Sequence, residues 1–233
     1  MLHEKDTSKL AKLAIFSGCR KETLTLLLQG AFLQKIPARV ELAREGENAD
    51  FLHVIISGTV ELYATCRDRE TTIAVIGAPH TFIVAAVVLD RFYLKSARVL
   101  QPAKILMIPA LAVRKAMKED TAFAVAIATE LAIAYRNLAE DLKNQKLRSG
   151  LERLANWLVL RDRETGETHR FVIPFEKKVL AARLGMTPEA LSRGFAALAA
   201  YKVAITGSEV AIHDPESLTL LAKPDPLIDD SHI

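Results

Sequence analysis

Over the first 110 residues apolar and polar positions form short β-type runs, and after residue 120 the apolar residues recur with helical spacing. A helical opening is expected over Glu22 to Leu33, broken by Pro37. Six β-rich runs follow: Arg39 to Ala43, Phe51 to Ile56, Thr59 to Thr65, Thr71 to Ile76, Ser96 to Leu100 and Lys104 to Ile108. Turn signals separate them at Glu45-Gly46-Glu47-Asn48, Ser57-Gly58, Arg67-Asp68 and Gly77-Ala78-Pro79. Many short strands at near-regular spacing predict a sandwich or barrel.

From Asp120 the chain reads as a helix reaching about Gln145, with Ile127, Leu131, Ala134 and Leu138 on one seam. Such a helix of roughly 25 residues would be about 37 Å long, more than a small barrel can cover. It is either a long core helix or a parallel dimer seam, and the narrowness of the stripe favours the dimer. Beyond it the pattern predicts helices at Leu151 to Leu160, Glu176 to Leu184 and Pro188 to Ala200. Strands are expected at Phe171 to Ile173, Val203 to Thr206 and Val210 to Ile212, and a frayed tail from Pro224. The change of period divides the chain into a β domain (residues 1–118), a dimerisation helix (119–147), a helical domain (148–223) and a flexible acidic tail (224–233).

Composition narrows the class. Half of the 233 residues are apolar and the net charge is only +3, so the chain is not disordered. Two cysteines, Cys19 and Cys66, can supply neither a disulfide scaffold nor the four thiolates of an iron–sulfur cluster. They fit a reducing, cytoplasmic setting, and no run approaches a spanning helix, so no membrane association is expected. No metal-ligand motif, nucleophile elbow or phosphate-cradling glycine loop occurs, and no catalytic residue is assigned.

The segment Leu180-Ala181-Ala182-Arg183-Leu184-Gly185-Met186-Thr187-Pro188-Glu189-Ala190-Leu191-Ser192-Arg193 carries the most chemistry. It supplies a small residue (Ala181) where two helices touch, a glycine at the turn (Gly185) and apolar residues to fix the angle, as a helix-turn-helix requires. Thr187 can cap the second helix and Pro188 suits its first turn. At 100° per residue Glu189, Ser192 and Arg193 share one arc, with Leu191, Phe195 and Leu198 opposite. Together with Thr187 they are the candidate contacts to double-stranded DNA: guanidinium to guanine, carboxylate to cytosine, hydroxyl to either. The competing reading is an exposed Glu189–Arg193 ion pair worth a few tenths of a kcal/mol. Gly194, where an apolar packing residue is usual, is expected to cost about 1 kcal/mol.

The chain resembles the Crp/Fnr superfamily of bacterial transcription regulators along nearly its full length. Arg44-Glu45-Gly46-Glu47 and the run from Phe51 through Ser57-Gly58-Thr59 to Leu62 carry the resemblance, followed by the helix-turn-helix. It implies an α+β fold: an N-terminal β-roll of the double-stranded β-helix or jelly-roll type, a long dimerisation helix and a C-terminal winged helix-turn-helix. It also implies a homodimer, an effector sensed by the β-roll, and RNA polymerase as a partner. Glu189-x-x-Ser192-Arg193 is similar to the Fnr-type recognition helix, which implies a two-fold TTGAT…ATCAA site. The Crp-type helix has an arginine where Pro188 stands.

The superfamily's phosphate cassette carries Gly-Glu and then Arg-Ser-Ala; here Val84-Ala85 and Lys95-Ser96-Ala97 stand at those places. Lys95 keeps the charge without the forked geometry, Val84 hinders a close backbone approach, and Ala85 removes the carboxylate for a ribose hydroxyl. Missing hydrogen bonds worth roughly 1 to 3 kcal/mol each disfavour cyclic AMP. The apolar replacement, Phe82 to Leu89, is similar to that of nitric-oxide-responsive, haem-dependent denitrification regulators. A haem would take an axial ligand from His53, His80, His3 or Met107, none of which lies in a distinctive motif. Two alternatives stay open: a cyclic-AMP-responsive regulator of the same architecture, with Lys95 and Ser96 on the phosphate, and an interaction protein whose C-terminal helices bind protein.

Overall fold

The computed structural model describes residues 10–67 and 69–229. Elements run in the order α1 (Lys21–Gln29), β1 (Phe32–Ile36), β2 (Glu41–Ala43), β3 (Phe51–Cys66), β4 (Arg69–Gly77), β5 (His80–Phe82), α2 (Val84–Leu89), β6 (Ser96–Pro109), α3 (Ala110–Glu119) and α4 (Thr121–Leu147). Then come α5 (Gly150–Glu164), β7 (Arg170–Val172), α6 (Lys177–Arg183), α7 (Pro188–Leu198), β8 (Val203–Thr206), β9 (Glu209–Ile212), α8 (Pro215–Ala222) and α9 (Pro226–Asp229). The architecture is α+β, in two compact units that divide inside α4, at Ala134 and Tyr135.

The N-terminal unit is built on β3 and β6, which pair antiparallel from Phe51↔Pro109 to Tyr63↔Ser96. β1 and β2 pair with β6, and β4 and β5 with β3. Four sequence expectations are corrected here. The opening helix stops at Gln29, and Phe32 and Leu33 lie in β1, where they pair with Met107 and Leu106. Pairing with β6 overrides the local helical pattern. Ser57-Gly58 is not a turn but the bulge of one continuous 16-residue strand, with register shifts on either side. Pro102 lies opposite within a single long β6, a position a proline tolerates because the ladder is already broken there. Helix α3 was not anticipated; Ala110, Val113 and Ala116 are its buried face.

Asp120 starts α4 by accepting from the amides of Ala122 (3.0 Å) and Phe123 (3.4 Å). The apolar seam then serves the chain's own core before anything else. Phe123 and Ile127 are fully buried in the N-terminal unit and Leu131 packs on the same cluster. Ile127 is therefore not a dimer contact, and Leu131 is half-covered by its own β-roll; Ala134 and Leu138 face solvent. Among the described residues α4 is the one helix long and apolar enough to cross a membrane, yet its first two turns are held in this protein core.

The C-terminal unit buries Leu154 and Leu158 of α5 against Leu180, Leu191 and Leu198 of α6 and α7, beneath the three-stranded sheet β7-β9-β8. A full capping box, Ser149 with Glu152, opens α5. Trp157 meets Phe171 and Phe175 edge-on, as a packing residue. The cost assigned to Gly194 is reversed: it is buried, and a Cβ there would lie 2.9 Å from Leu154 Cδ2, so glycine lets α7 approach α5. The tail is corrected as well. Residues 224–229 are folded, with Ile228 buried and the Asp229 side chain only 7% exposed, because Asp229 finds a cation partner. His3 and the last four residues lie outside the described residues.

Candidate nucleic-acid interface and effector pocket

The turn between α6 and α7 is closed by backbone bonds from Met186 N to Ala181 O (2.8 Å) and from Gly185 N to Ala182 O (2.9 Å). Gly185 has φ +62, a conformation that favours glycine. Ala181 is buried at the helix crossing. Thr187 Oγ1 accepts from Ala190 N (3.2 Å) and Pro188 occupies the first turn of α7. Thr187, Glu189, Ser192 and Arg193 are all exposed, while Leu191 and Leu198 are buried on the other side of the helix.

Among the described residues no ion pair within 4 Å joins Glu189 to Arg193, although the Arg193 charge is near enough to act on the carboxylate. Glu189 is held below the usual carboxylate range by its own amide, by the Thr187 hydroxyl and by the nearby Arg193 charge, so it is an acceptor at neutral pH. Beside this arc lie Lys177 and Lys202, two members of the basic excess that the sequence carries between Phe175 and Ile205. An open groove of about 500 Å³ between α7 and β8 is lined by Lys177, Ser192, Phe195, Lys202 and His213. The Lys177 ammonium lies 5.1 Å from the Phe195 ring centroid. Lysine and histidine beside a polar arc at a helix N-terminus suit phosphate contacts flanking base contacts.

The expected effector residues fall in two places in the N-terminal unit, Val84 and Ala85 after β5 and Lys95, Ser96 and Ala97 at the start of β6. Val84 opens the short helix α2 and is buried; Ala85 beside it is exposed. Ser96 and Ala97 are buried, and Ser96 Oγ accepts from Glu45 N (2.9 Å), so the acidic-glycine turn is tied to the start of β6. Lys95 is half-buried with no carboxylate at ion-pair distance among the described residues, and burial pushes its ammonium pKa down. An ion network that the strand pattern conceals begins three residues later, at Arg98. Arg98 bonds Glu61 and Glu70, each at 2.7 Å, and lies 4.3 Å over the Tyr63 ring. On the other side of this segment Glu130 of α4, the one charged residue between Thr121 and Tyr135, accepts from the buried Thr81 hydroxyl beside Phe82.

Of the candidate haem ligands, His53 is 2% exposed and stacked on Phe82 at 5.1 Å, with Met107 opposite it in the strand ladder. An axial ligand bonds iron through a ring nitrogen, and a histidine only 2% exposed offers a porphyrin no approach to its nitrogens, so His53 does not fit an axial role. His80 and Met107 are half-buried at β5 and β6.

Comparison with known proteins decides the family. Residues 33–120 match the cyclic nucleotide-binding domain, and residues 152–221 match the Crp-like helix-turn-helix domain. Together the two matches span more than half of the chain. The chain belongs to the Crp/Fnr superfamily. Among solved structures it is similar to FixK2 from Bradyrhizobium japonicum, with TM-score 0.71 and 18% identity over 82% of this chain and 96% of that one. DNR from Pseudomonas aeruginosa matches with TM-score 0.51 and 23% identity over 95% and 99%. A regulatory protein from Silicibacter pomeroyi DSS-3, provisionally described as cAMP-binding, matches with TM-score 0.61 and 25% identity over 95% and 100%. No curated protein matches the chain. As a Crp/Fnr protein it is a DNA-binding transcription regulator with a cyclic nucleotide-binding-type domain, in a superfamily of regulators rather than catalysts.

Proposed function

We propose that the chain acts as a homodimer reading a two-fold site resembling TTGAT…ATCAA, and that its β-roll answers a small effector other than cyclic AMP. One observation carries the DNA reading: Thr187, Glu189, Ser192 and Arg193 are exposed together at the start of a helix whose opposite side is buried. Lys177 and Lys202 then serve the flanking phosphates. Dimerisation is supported by the second half of α4, where Tyr135, Leu138 and Leu142 are 74, 61 and 57% exposed. Two recognition helices on a two-fold axis would read a palindromic site. RNA polymerase is the further partner that this role calls for.

Neutralising several phosphates makes affinity steeply salt-dependent, so binding to duplex DNA should weaken by about 10³ or more between roughly 50 and 200 mM salt. A nearly flat salt dependence would instead fit C-terminal helices that bind protein. Against cyclic AMP stand the Ala85 methyl in place of a carboxylate and the Val84 side chain in place of a glycine. Titration calorimetry should show no cyclic AMP binding in the micromolar range, and a micromolar Kd would reverse this reading. The cyclic-AMP-responsive alternative draws support from Lys95, whose half-buried charge could meet an effector's anionic group.

A further inference from the structure

Only two residues, Arg148 and Ser149, join α4 to α5. Arg148 follows α4, and Ser149 already caps α5. The Arg148 guanidinium grips the Asp229 carboxylate with both prongs, at 2.6 and 2.5 Å, and also donates to Asn144 Oδ1 (3.1 Å) and Lys223 O (2.9 Å). The two side chains are 6 and 7% exposed. Asn156 Nδ2 of α5 reaches the same carboxylate at 2.7 Å, and Asp225 N closes its other side at 2.7 Å. Lys143 of α4 donates to Leu227 O. The Arg148 carbonyl in turn accepts from Arg153 Nη1 (2.6 Å), and Arg153 Nε donates to Leu184 O (2.7 Å) in the turn before the recognition helix. A continuous path of hydrogen bonds therefore runs from Asp229 through Arg148 and Arg153 to the helix-turn-helix.

We propose that the C-terminal segment Asp225–Asp229 is a latch, with Asp229 as a positioning residue that holds the α4–α5 junction and so sets the placement of the recognition helix. A buried ion pair adds little net stability, because desolvating both charges offsets their attraction; what it fixes is geometry. The junction contributes little apolar burial of its own, since Leu147 is exposed, so charged contacts are what hold it. Burial works to raise the Asp229 pKa, but Arg148, the Asp225 amide and Asn156 prevail and keep it lowered, so the latch stays charged at neutral pH.

Asp229→Ala and Asp229→Asn in the full chain test this by hydrogen exchange and by binding to two duplexes, one selected by the wild-type chain and one of random sequence. Asp229→Ala should raise amide exchange over residues 145–153 by about tenfold or more, and cut the ratio of selected to random affinity by about tenfold. Random-sequence affinity and exchange in the β-roll should not change. Asp229→Asn, which keeps an oxygen for Asn156, should lose less. If Asp229→Ala does not fold, a chain ended after Pro224 with Arg148→Met, which removes the uncovered charge, carries the same measurement. Unchanged exchange at the junction overturns the latch, as does a uniform rise across residues 150–222, which would mean general stabilisation rather than positioning.

Discussion

Gly58→Ala should destabilise the N-terminal unit by about 4 kcal/mol, the sum of a strained backbone and an overpacked contact. Gly58 has φ +90, and a Cβ there would lie 2.5 Å from Pro102 O and 2.6 Å from Ala103 Cα. Both obstacles are backbone atoms of β6, in a ladder pinned on either side, so no side-chain rotation relieves them. Gly77→Ala is the control: nothing lies within 4 Å of its would-be Cβ. A loss of this size is a large share of a domain's stability and should lower the unfolding midpoint by more than about 10 °C, while Gly77→Ala stays within about 1 °C. A mild effect at Gly58 would mean that β3 and β6 are not in close contact at the bulge.

Acidification should weaken the same unit through His53. Burial holds its pKa down to about 4, against an ordinary 6.5, and Nδ1 has no hydrogen-bond partner. The folded protein keeps this imidazole neutral, whereas the unfolded chain takes up a proton below 6.5. Stability is therefore full above the unfolded pKa and falls by about 3 kcal/mol as pH drops through this window to about 4. Asp120, held at about 2 by the Thr23 hydroxyl and the Arg20 amide, contributes its own loss only at lower pH. Denaturant unfolding across the window should show the slope in the wild type and lose it in His53→Phe, whose ring suits the stack on Phe82. A wild-type stability independent of pH between about 6.5 and 4 would contradict the buried, neutral histidine.

These two sites show where sequence reading works and where it stops. The strand runs, the long helix and the helix-turn-helix were legible because each has its own period and its own capping or turn residue, such as Thr187, Pro188 and Gly185. Gly58 signalled a special backbone, but a bulge and a hairpin turn make the same local demand, and only the opposite strand with Pro102 distinguishes them. Ile127 shared the period of Leu138, and periodicity cannot say whether a stripe is covered by the chain's own β-roll or by a second copy. Gly194 carried a helix penalty on propensity alone, although its neighbour Leu154 lies 40 residues earlier. The Arg98 cluster, the groove beside Ser192 and the Asp229 latch join residues far apart in sequence, with no spacing that marks them. At the proposed effector residues the side chains of Val84, Ala85 and Lys95 were readable, but the bond from the Glu45 amide to Ser96 was not.

The central claim, that the exposed arc of α7 reads bases, is tested most directly by selecting sites from random duplex DNA with the wild-type chain and with Arg193→Ala. The wild type should return two-fold sites with TTGAT-like halves. Arg193→Ala should lose preference at one base pair of each half-site, a cost of about 1 to 3 kcal/mol, with the other positions retained. TGTGA half-sites, a variant with unaltered preference, or a pool with no enriched sequence would contradict the assignment of Glu189, Ser192 and Arg193 to base recognition.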